Sequence, residues 1–340
     1  MVRQRMHPPA YFRCVVSERF SYYRVAGRRR LADLAGAVRD GLGSRPYSIP
    51  PRFFYDDAGS ALFEEICSLP EYYPTRTEAG ILGSVRRELA GLLGGRFRLV
   101  ELGSGHSTKT RRVLDALEDA GPGTEYVPID ISDVVEAGAG SLVDDYPRVA
   151  VTGVVDTYEG GLALVRGMDG PPNLVAFLGS SLGNMYPDES VAFLGMVRSM
   201  MRPGDMFLLG LDLAKDKSVL EAAYNDSAGV TARFNLNALH RINRELGADF
   251  EVSRFSHQAP YNADGGRIEM YLVSEADQTV RIPGAGITLR LRPGDRIHTE
   301  NSYKYTVPQI RMMARDAGFA VRRLWRDDNE LFSVTLMEPA

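Results

Sequence analysis

Two short stretches carry the residues best suited to chemistry. In "RIHTENSYKYT", residues 296–306, Glu300, Asn301, Ser302 and Lys304 stand between aromatic residues in a strand-like alternation. A period of two puts Glu300 and Ser302 on one face of a strand, and Asn301 and Tyr303 on the other. Such a face could form one wall of a polar pocket. A solvated edge strand would read the same way, since Glu is mostly found at surfaces. In "VELGSGHSTKT", residues 100–110, Gly103 and Gly105 let the backbone approach a ligand that a Cβ would exclude. Asp130 ends the next apolar run, where a carboxylate can accept from ribose hydroxyls, and Asp156 follows the third. A dinucleotide cradle needs a third glycine, and position 108 is Thr108. An E-x-G-x-G turn with acidic strand ends suits S-adenosylmethionine, which has no phosphate to place on a helix N-terminus. Glu101 would then lie near the cationic sulfonium and amino-acid end. On the glycines alone, a tight strand-to-helix turn without a ligand stays open.

Holding these groups in place requires a frame. From about residue 97, apolar runs alternate with amphipathic segments: "RFRLVELG", "EYVPIDIS", "RVAVTGVV", "NLVAFLGSS" and "DMFLLGLDL" read as five strands. Continuous apolar runs suit a parallel sheet covered on both faces. "TRRVLDALEDA" places Val113, Leu114 and Leu117 on one helical face, and a further helix is expected near residues 133–145. The alternation predicts a doubly wound α/β domain. After residue 214 the pattern changes to helices over 215–240 and antiparallel strands over 250–300. It then returns to α/β style, with Pro308 in the first turn of a helix that Gly318 stops and a closing strand pair. A mixed insertion of roughly 80–90 residues, a plausible subdomain size, therefore interrupts the α/β domain.

Composition narrows the partners. The 340 residues are 44% hydrophobic and 25% charged, with a net charge of −4. This argues against a nucleic-acid or membrane surface, both of which favour a basic face. The run Arg28–Arg30 reads as the solvated start of a helix. Two cysteines, Cys14 and Cys67, form no disulfide or zinc pattern. No apolar run is long enough to span a membrane, and "MVRQRMHPPAYFRCVV" lacks the apolar stretch of a signal peptide. A cytoplasmic protein is expected. The five histidines share no metal spacing, so no metal is expected, and His106 falls in the cofactor loop.

Taken together, "PRFFYDDAGSALFEEICSLPEYYPTRTEAGIL", "LVELGSGHSTKT", "VPIDIS", "LVAFLGSSLGNMYPDE", "LLGLDLAKD", "AYNDSAGVTARFNLNAL", "RIEMYL" and "TENSYKY" resemble the histidine Nα-methyltransferases of ergothioneine biosynthesis. The resemblance runs from about residue 45 to the C-terminus. That wider family includes a fungal dimethylallyltryptophan N-methyltransferase and domains fused to sulfoxide synthases. The resemblance implies a class I, Rossmann-like methyltransferase sheet over residues 41–214 and 305–340. It implies an inserted mixed α+β substrate-recognition domain over 215–304, and leaves residues 1–40 as an extension. Cofactor contacts fall on Gly103, Lys109, Asp130 and Asp156, within the set Glu101, Gly103, Gly105, Lys109, Asp130 and Asp156. Tyr55 and Tyr72 match tyrosines beside the substrate amine. Asn184 and Tyr224 match residues that hold the α-carboxylate, and Gly179 starts the loop that carries Asn184. Met270, Glu300 and Ser302 match positions that face the imidazole. Tyr55, Tyr72 and Asn184 are thus the candidates closest to the reaction.

The activity so implied is methylation of the α-amino group of L-histidine, up to trimethylhistidine (hercynine), with S-adenosylmethionine as donor. The partners would be histidine and its mono- and dimethyl forms, bound by a monomer. Tyrosine, with its pKa of about 10, is a poor base at neutral pH, so Tyr55 and Tyr72 are expected to orient the amine while water takes its proton. Three alternatives stand beside this. They are the same chemistry on another amino acid or aromatic amine, a non-catalytic cofactor-binding protein, and a nicotinamide-dependent oxidoreductase.

Overall fold

The computed structural model describes residues 11–25, 34–104, 108–121, 123–131 and 142–340. Its strands are β1 (Tyr11–Ser17), β2 (Phe20–Val25), β3 (Tyr47–Ser48), β4 (Arg98–Leu102), β5 (Glu125–Asp130), β6 (Ala150–Val155), β7 (Asn173–Phe177) and β8 (Met206–Asp212). They continue with β9 (Phe255–Gln258), β10 (Tyr261–Asn262), β11 (Arg267–Ser274), β12 (Gln278–Ile282), β13 (Ile287–Leu291), β14 (Arg296–Tyr303), β15 (Phe319–Arg326) and β16 (Phe332–Pro339).

Nine strands form the main sheet in the order β1-β2-β6-β5-β4-β7-β8-β16-β15. From β2 to β8 neighbours run parallel; β1, β16 and β15 join antiparallel. The five expected strands are β4 to β8, and the closing pair is β15 and β16. Every residue of β4 and β7 is buried, which is why these runs lack a polar face. Leu99, Leu174 and Leu208 point to one apolar cluster, and Val100, Val175 and Phe207 to the other. Helices α3 (Tyr73–Ser84), α4 (Arg86–Leu93) and α5 (Thr108–Ala120) cover the first face. Helices α6 (Tyr158–Arg166), α7 (Pro187–Met200) and α10 (Val307–Asp316) cover the second. Chain order turns opposite ways on the two sides of β4. Open α/β sheets bind ligands at such a switch point, beyond the carboxyl ends of the strands. Gly103 follows β4 and Gly179 lies just past β7, so both stand at that crevice.

The first 40 residues are not simply an extension. Tyr11–Val25 is a hairpin, and β2 docks parallel on β6 from Phe20 to Arg24. "FSYYRV" is rich in the aromatic and β-branched residues that fit a pleated surface. Helix α1 (Leu34–Leu42) follows. Arg28–Arg30, most of the helix expected near 133–145, Gly105 and His106 lie outside the described residues.

The second layer is a smaller sheet in the order β10-β11-β14-β3, with β9 also on β11. Beside it lie the hairpin β12–β13, helix α8 (Lys217–Tyr224) and helix α9 (Val230–Leu246). Strand β14, which carries Glu300 and Ser302, pairs with β11 from Arg296 to Tyr303 on one side and with β3 at Ile297 and His298 on the other. Residues 299–303 are all buried, which excludes a solvated edge.

Helix α3 is pinned to the main sheet by Glu78, which is fully buried. Its carboxylate accepts from the Gly179 N–H at 2.9 Å and faces Lys109 Nζ at 3.1 Å. Gly210 in β8 lies against this carboxylate, where a Cβ would collide with it. We expect Gly210→Ala to destabilise the protein by about 1–3 kcal/mol, the usual cost of overpacking. Urea denaturation measures it, and an unchanged midpoint would show that Glu78 moves aside without loss.

Candidate active site

At the carboxyl end of β4, Gly103 adopts φ 69°, a left-handed conformation that favours glycine. Its N–H donates to the Ile129 carbonyl at 2.9 Å, and a Cβ would press on the Tyr158 hydroxyl. Tyr158 packs edge-on against Phe177 and Phe193, and burial followed by the Asp130 charge pushes its phenol upward. Asp130 and Asp156 end adjacent strands, and the Asp156 N–H donates to the Asp130 carbonyl. The Tyr11 hydroxyl, from the unforeseen hairpin, lies 2.6 Å from Asp156 Oδ2.

Glu101 serves the turn from beneath. It is buried, and its Oε2 accepts from Tyr126 at 2.6 Å and Thr110 at 2.7 Å. Burial lifts its carboxyl to about 7, while the two hydroxyls and Lys109 act the other way. Lys109 Nζ sits at the Gly179 turn, where a Cβ would displace it. This end fits S-adenosylmethionine. Two carboxylates can receive hydroxyl and amine donors, an ammonium is placed for a carboxylate, and the turn is open where a side chain would block it.

The other half of the site is aromatic. Tyr55 meets Phe63 and Phe234 edge-on at 5.6 and 5.5 Å, and Tyr72 meets Phe63 and Tyr224 at 6.3 and 6.2 Å. Tyr72 is buried, whereas Tyr55 keeps 40% of its surface open. Burial pushes the Tyr72 phenol well above its ordinary value, and the neighbouring Tyr224 and the charge of Glu300 add to it. A phenol ionises only at about pH 10 or above, so both hydroxyls stay protonated at neutral pH.

Strand pairing sets Glu300 directly opposite Met270, and Ser302 opposite Ile268. A register shift follows Met270, and such bulges re-aim side chains beside functional sites. Burial lifts the Glu300 carboxyl to about 7, with Lys304 acting against the rise. Asn184 ends a short 3-10 turn, Ser181–Asn184, in which Gly183 lies against the backbone of Tyr303. That contact brings the loop after β7 onto β14. Tyr55, Tyr72, Tyr224, Met270, Glu300, Ser302 and the Asn184 loop thus gather where the two sheets meet. Gly103, Lys109, Asp130, Asp156 and Gly179 gather at the switch point.

The residues that sequence reasoning missed lie beneath these. Asp212, 1% exposed at the end of β8, accepts from Tyr73 at 2.8 Å, Lys215 at 2.5 Å and Lys304 at 2.7 Å. Lys215 also donates to the Tyr73 hydroxyl at 2.6 Å, and burial brings its pKa down to about 8. His257 Nε2 donates to the Tyr224 carbonyl at 2.8 Å, fixing that helix end. An acid closing the apolar run "FLLGLD" was a signal of the same kind as Asp130. Lys304 stands in the polar stretch 296–306 without an assigned role, and nothing local marks Tyr73.

A doubly wound sheet with a glycine turn after its first central strand and acidic ends on the next two is the arrangement of a class I S-adenosylmethionine-dependent methyltransferase. The chain belongs to the S-adenosylmethionine-dependent, histidine-specific methyltransferase family, whose model matches residues 34–339. A histidine N-alpha-methyltransferase from Mycolicibacterium smegmatis is 41% identical over 300 residues, covering 88% of this chain and 92% of that protein. One from Mycobacterium tuberculosis is 42% identical over the same shares. Ergothioneine biosynthesis protein 1 of Neurospora crassa is 30% identical over 84% of this chain, but over only 32% of its own length.

The Glu300 shift has a consequence for stability. Its carboxyl titrates near 7 in the folded chain, against 4.5 ordinarily. The folded state therefore binds the proton more tightly than the unfolded one. Stability falls as pH rises between those two values and is level in this respect outside them, by up to about 1.4 kcal/mol per pH unit. Glu300→Gln removes that slope. Thermal unfolding followed from about pH 5 to pH 7 should show a shallower loss in the variant than in the wild type; parallel curves would refute the shifted carboxyl.

Proposed function

We propose that the protein methylates the α-amino group of L-histidine, in successive rounds up to trimethylhistidine, as a step in ergothioneine biosynthesis. The observation that carries this is the buried face of β14, where Glu300 stands opposite Met270 and Ser302 opposite Ile268, beside the tyrosine wall. A carboxylate and a hydroxyl over an apolar floor suit an imidazole, which brings ring nitrogens and a flat apolar body. The family match supports the same acceptor.

Gly103, Gly105, Lys109, Asp130 and Asp156 would hold S-adenosylmethionine, which would supply the methyl group from its sulfonium. The chain's own residues orient the acceptor. Tyr55 and Tyr72, protonated at neutral pH, accept from the amine N–H groups and turn its lone pair toward the donor. Neither is a base at neutral pH, so the proton leaves to water. Asn184, whose side-chain amide makes no hydrogen bond within the described residues, and the Tyr224 hydroxyl receive the α-carboxylate. Aligning amine and donor in this way removes part of the barrier, up to roughly 7–11 kcal/mol in well-oriented reactions.

No helix among the described residues is long and apolar enough to cross a membrane. With a net charge of −4, a small-molecule enzyme working as a cytoplasmic monomer, without nucleic acid, is the reading we favour.

Incubation with histidine and cofactor should give successive mass gains of about 14, one CH₂ per round. No gain at saturating cofactor would sink the assignment. Glu300→Leu should reduce the preference for histidine over tryptophan by at least roughly tenfold, the scale of a lost charged hydrogen bond. An unchanged ratio, measured by competition in one vessel, would remove Glu300 from acceptor selection.

A further inference from the structure

Lys304 is a fully buried ammonium that the reaction described above does not use. Its Nζ donates to Asp212 Oδ2 at 2.7 Å, to Ser302 Oγ at 2.7 Å and to the Tyr224 hydroxyl at 3.1 Å. These three contacts occupy all three of its protons. An ammonium has no lone pair, so both hydroxyl oxygens must accept from it. The two hydroxyls themselves stand 2.7 Å apart, in a bond where only one can donate. Of their two protons, one is spent between them and one is left to point into the site.

The pair therefore has two settings. If Ser302 donates to Tyr224, the Tyr224 proton points outward and Ser302 keeps only a lone pair. If Tyr224 donates to Ser302, the Ser302 proton points outward and Tyr224 can only accept. A carboxylate needs a donor, so its arrival at Tyr224 selects the first setting. Ser302 can then receive an N–H and cannot serve a bare ring nitrogen.

We propose that Lys304 is a positioning residue that couples the two ends of the substrate: capture of the carboxylate by Tyr224 makes Ser302 select a ring N–H. The inference rests on the reading that Tyr224 faces the α-carboxylate and Ser302 the ring. Burial opposes the Lys304 charge, but Asp212 and Tyr224 outweigh it and hold the ammonium protonated. Lys215 cannot substitute, because its protons are committed to Asp212, Tyr73 and the Leu213 carbonyl.

The test is calorimetric binding of three ligands in the presence of S-adenosylhomocysteine. They are L-histidine; L-histidinol, which carries CH₂OH in place of the carboxylate; and thiazol-4-ylalanine, which keeps a ring nitrogen acceptor but has no ring N–H. Wild-type enzyme should prefer histidine over each analogue by about tenfold or more, the scale of one charge-assisted hydrogen bond. In Lys304→Met both preferences should shrink by about five- to tenfold, because neither hydroxyl is then forced to be an acceptor. Tyr224→Phe keeps Lys304 and gives the sharper readout. It frees Ser302 to donate outward, so the preference for histidine over thiazol-4-ylalanine should fall although Tyr224 does not face the ring. Equal weakening of all three ligands in Lys304→Met, or a Tyr224→Phe enzyme with its ring preference intact, would overturn the coupling alone. A wild-type enzyme that binds no histidine would take the proposed acceptor and the coupling down together.

Discussion

The carboxylate of Asp212 is the group around which the two layers are assembled. Taking a carboxylate out of water costs several kcal/mol unless hydrogen bonds and opposite charge replace the solvent. Here the replacements come from three places in the chain: Tyr73 at the start of α3, Lys215 just past β8, and Lys304 after β14. The Asp212 backbone N–H donates to Ser180 Oγ at 3.0 Å. The Asp212 carbonyl in turn accepts from Tyr305. Removing the carboxylate would leave two buried ammoniums without their shared counter-charge, so the set holds together around Asp212. It also explains a strained residue. Ser180 adopts φ 57°, a conformation that costs a non-glycine residue about 1–3 kcal/mol and persists only where its surroundings fix it. The hydrogen bond from Asp212 is what fixes it, and the Asn184 loop begins there.

Charge balance follows from the same group. Lys215 and Lys304 face one carboxylate in Asp212, which leaves a buried positive surplus next to Tyr224 and Ser302. Glu300 offsets that surplus only when ionised, and burial holds its carboxyl near 7. Desolvation wins over the Lys304 attraction at Glu300, while Asp212 wins over desolvation at Lys304. The difference is contact: Lys304 touches Asp212, whereas only its field reaches Glu300. A site with this surplus favours a ligand that brings a carboxylate, as an amino acid does, over a neutral or cationic amine of similar shape.

Legibility in the sequence tracked the range of the interactions. The parallel strands β4 to β8, the closing pair and the helices α5, α7 and α10 were readable because each rests on local apolar periodicity, whereas α6 was not singled out. The common face of Glu300 and Ser302 was readable for the same reason. The hairpin Tyr11–Val25 is not evident in the sequence, although "FSYYRV" carries strand-forming residues. Its reach from Tyr11 to Asp156 spans 145 positions and leaves no local trace. Likewise Lys304 and Asp212 are separated by about ninety residues, and a lysine after a polar strand reads as solvated until the partner is known. Glu101 shows the opposite error: its position was read correctly, yet its carboxylate turned inward to Tyr126 and Thr110.

What remains is how a reaction that asks for little chemistry comes to need so much buried charge. An in-line displacement between an amine and a methyl donor depends chiefly on distance and alignment, and small displacements of the acceptor are costly. Side chains of tyrosine and asparagine cannot fix themselves; their rotamers must be locked by what lies behind them. Helix α3 does this for both halves at once. Its first turn carries Tyr73 onto Asp212 just after Tyr72 enters the aromatic wall, and one turn later Glu78 holds the Gly179 N–H and Lys109 at the cofactor crevice. A shift of this helix would move Tyr72 and the Glu78 contacts to Gly179 and Lys109 together. The buried carboxylates Asp212 and Glu78 tie it at both levels, so the aromatic wall and the crevice beyond β4 are held by one rigid element rather than by two independent loops.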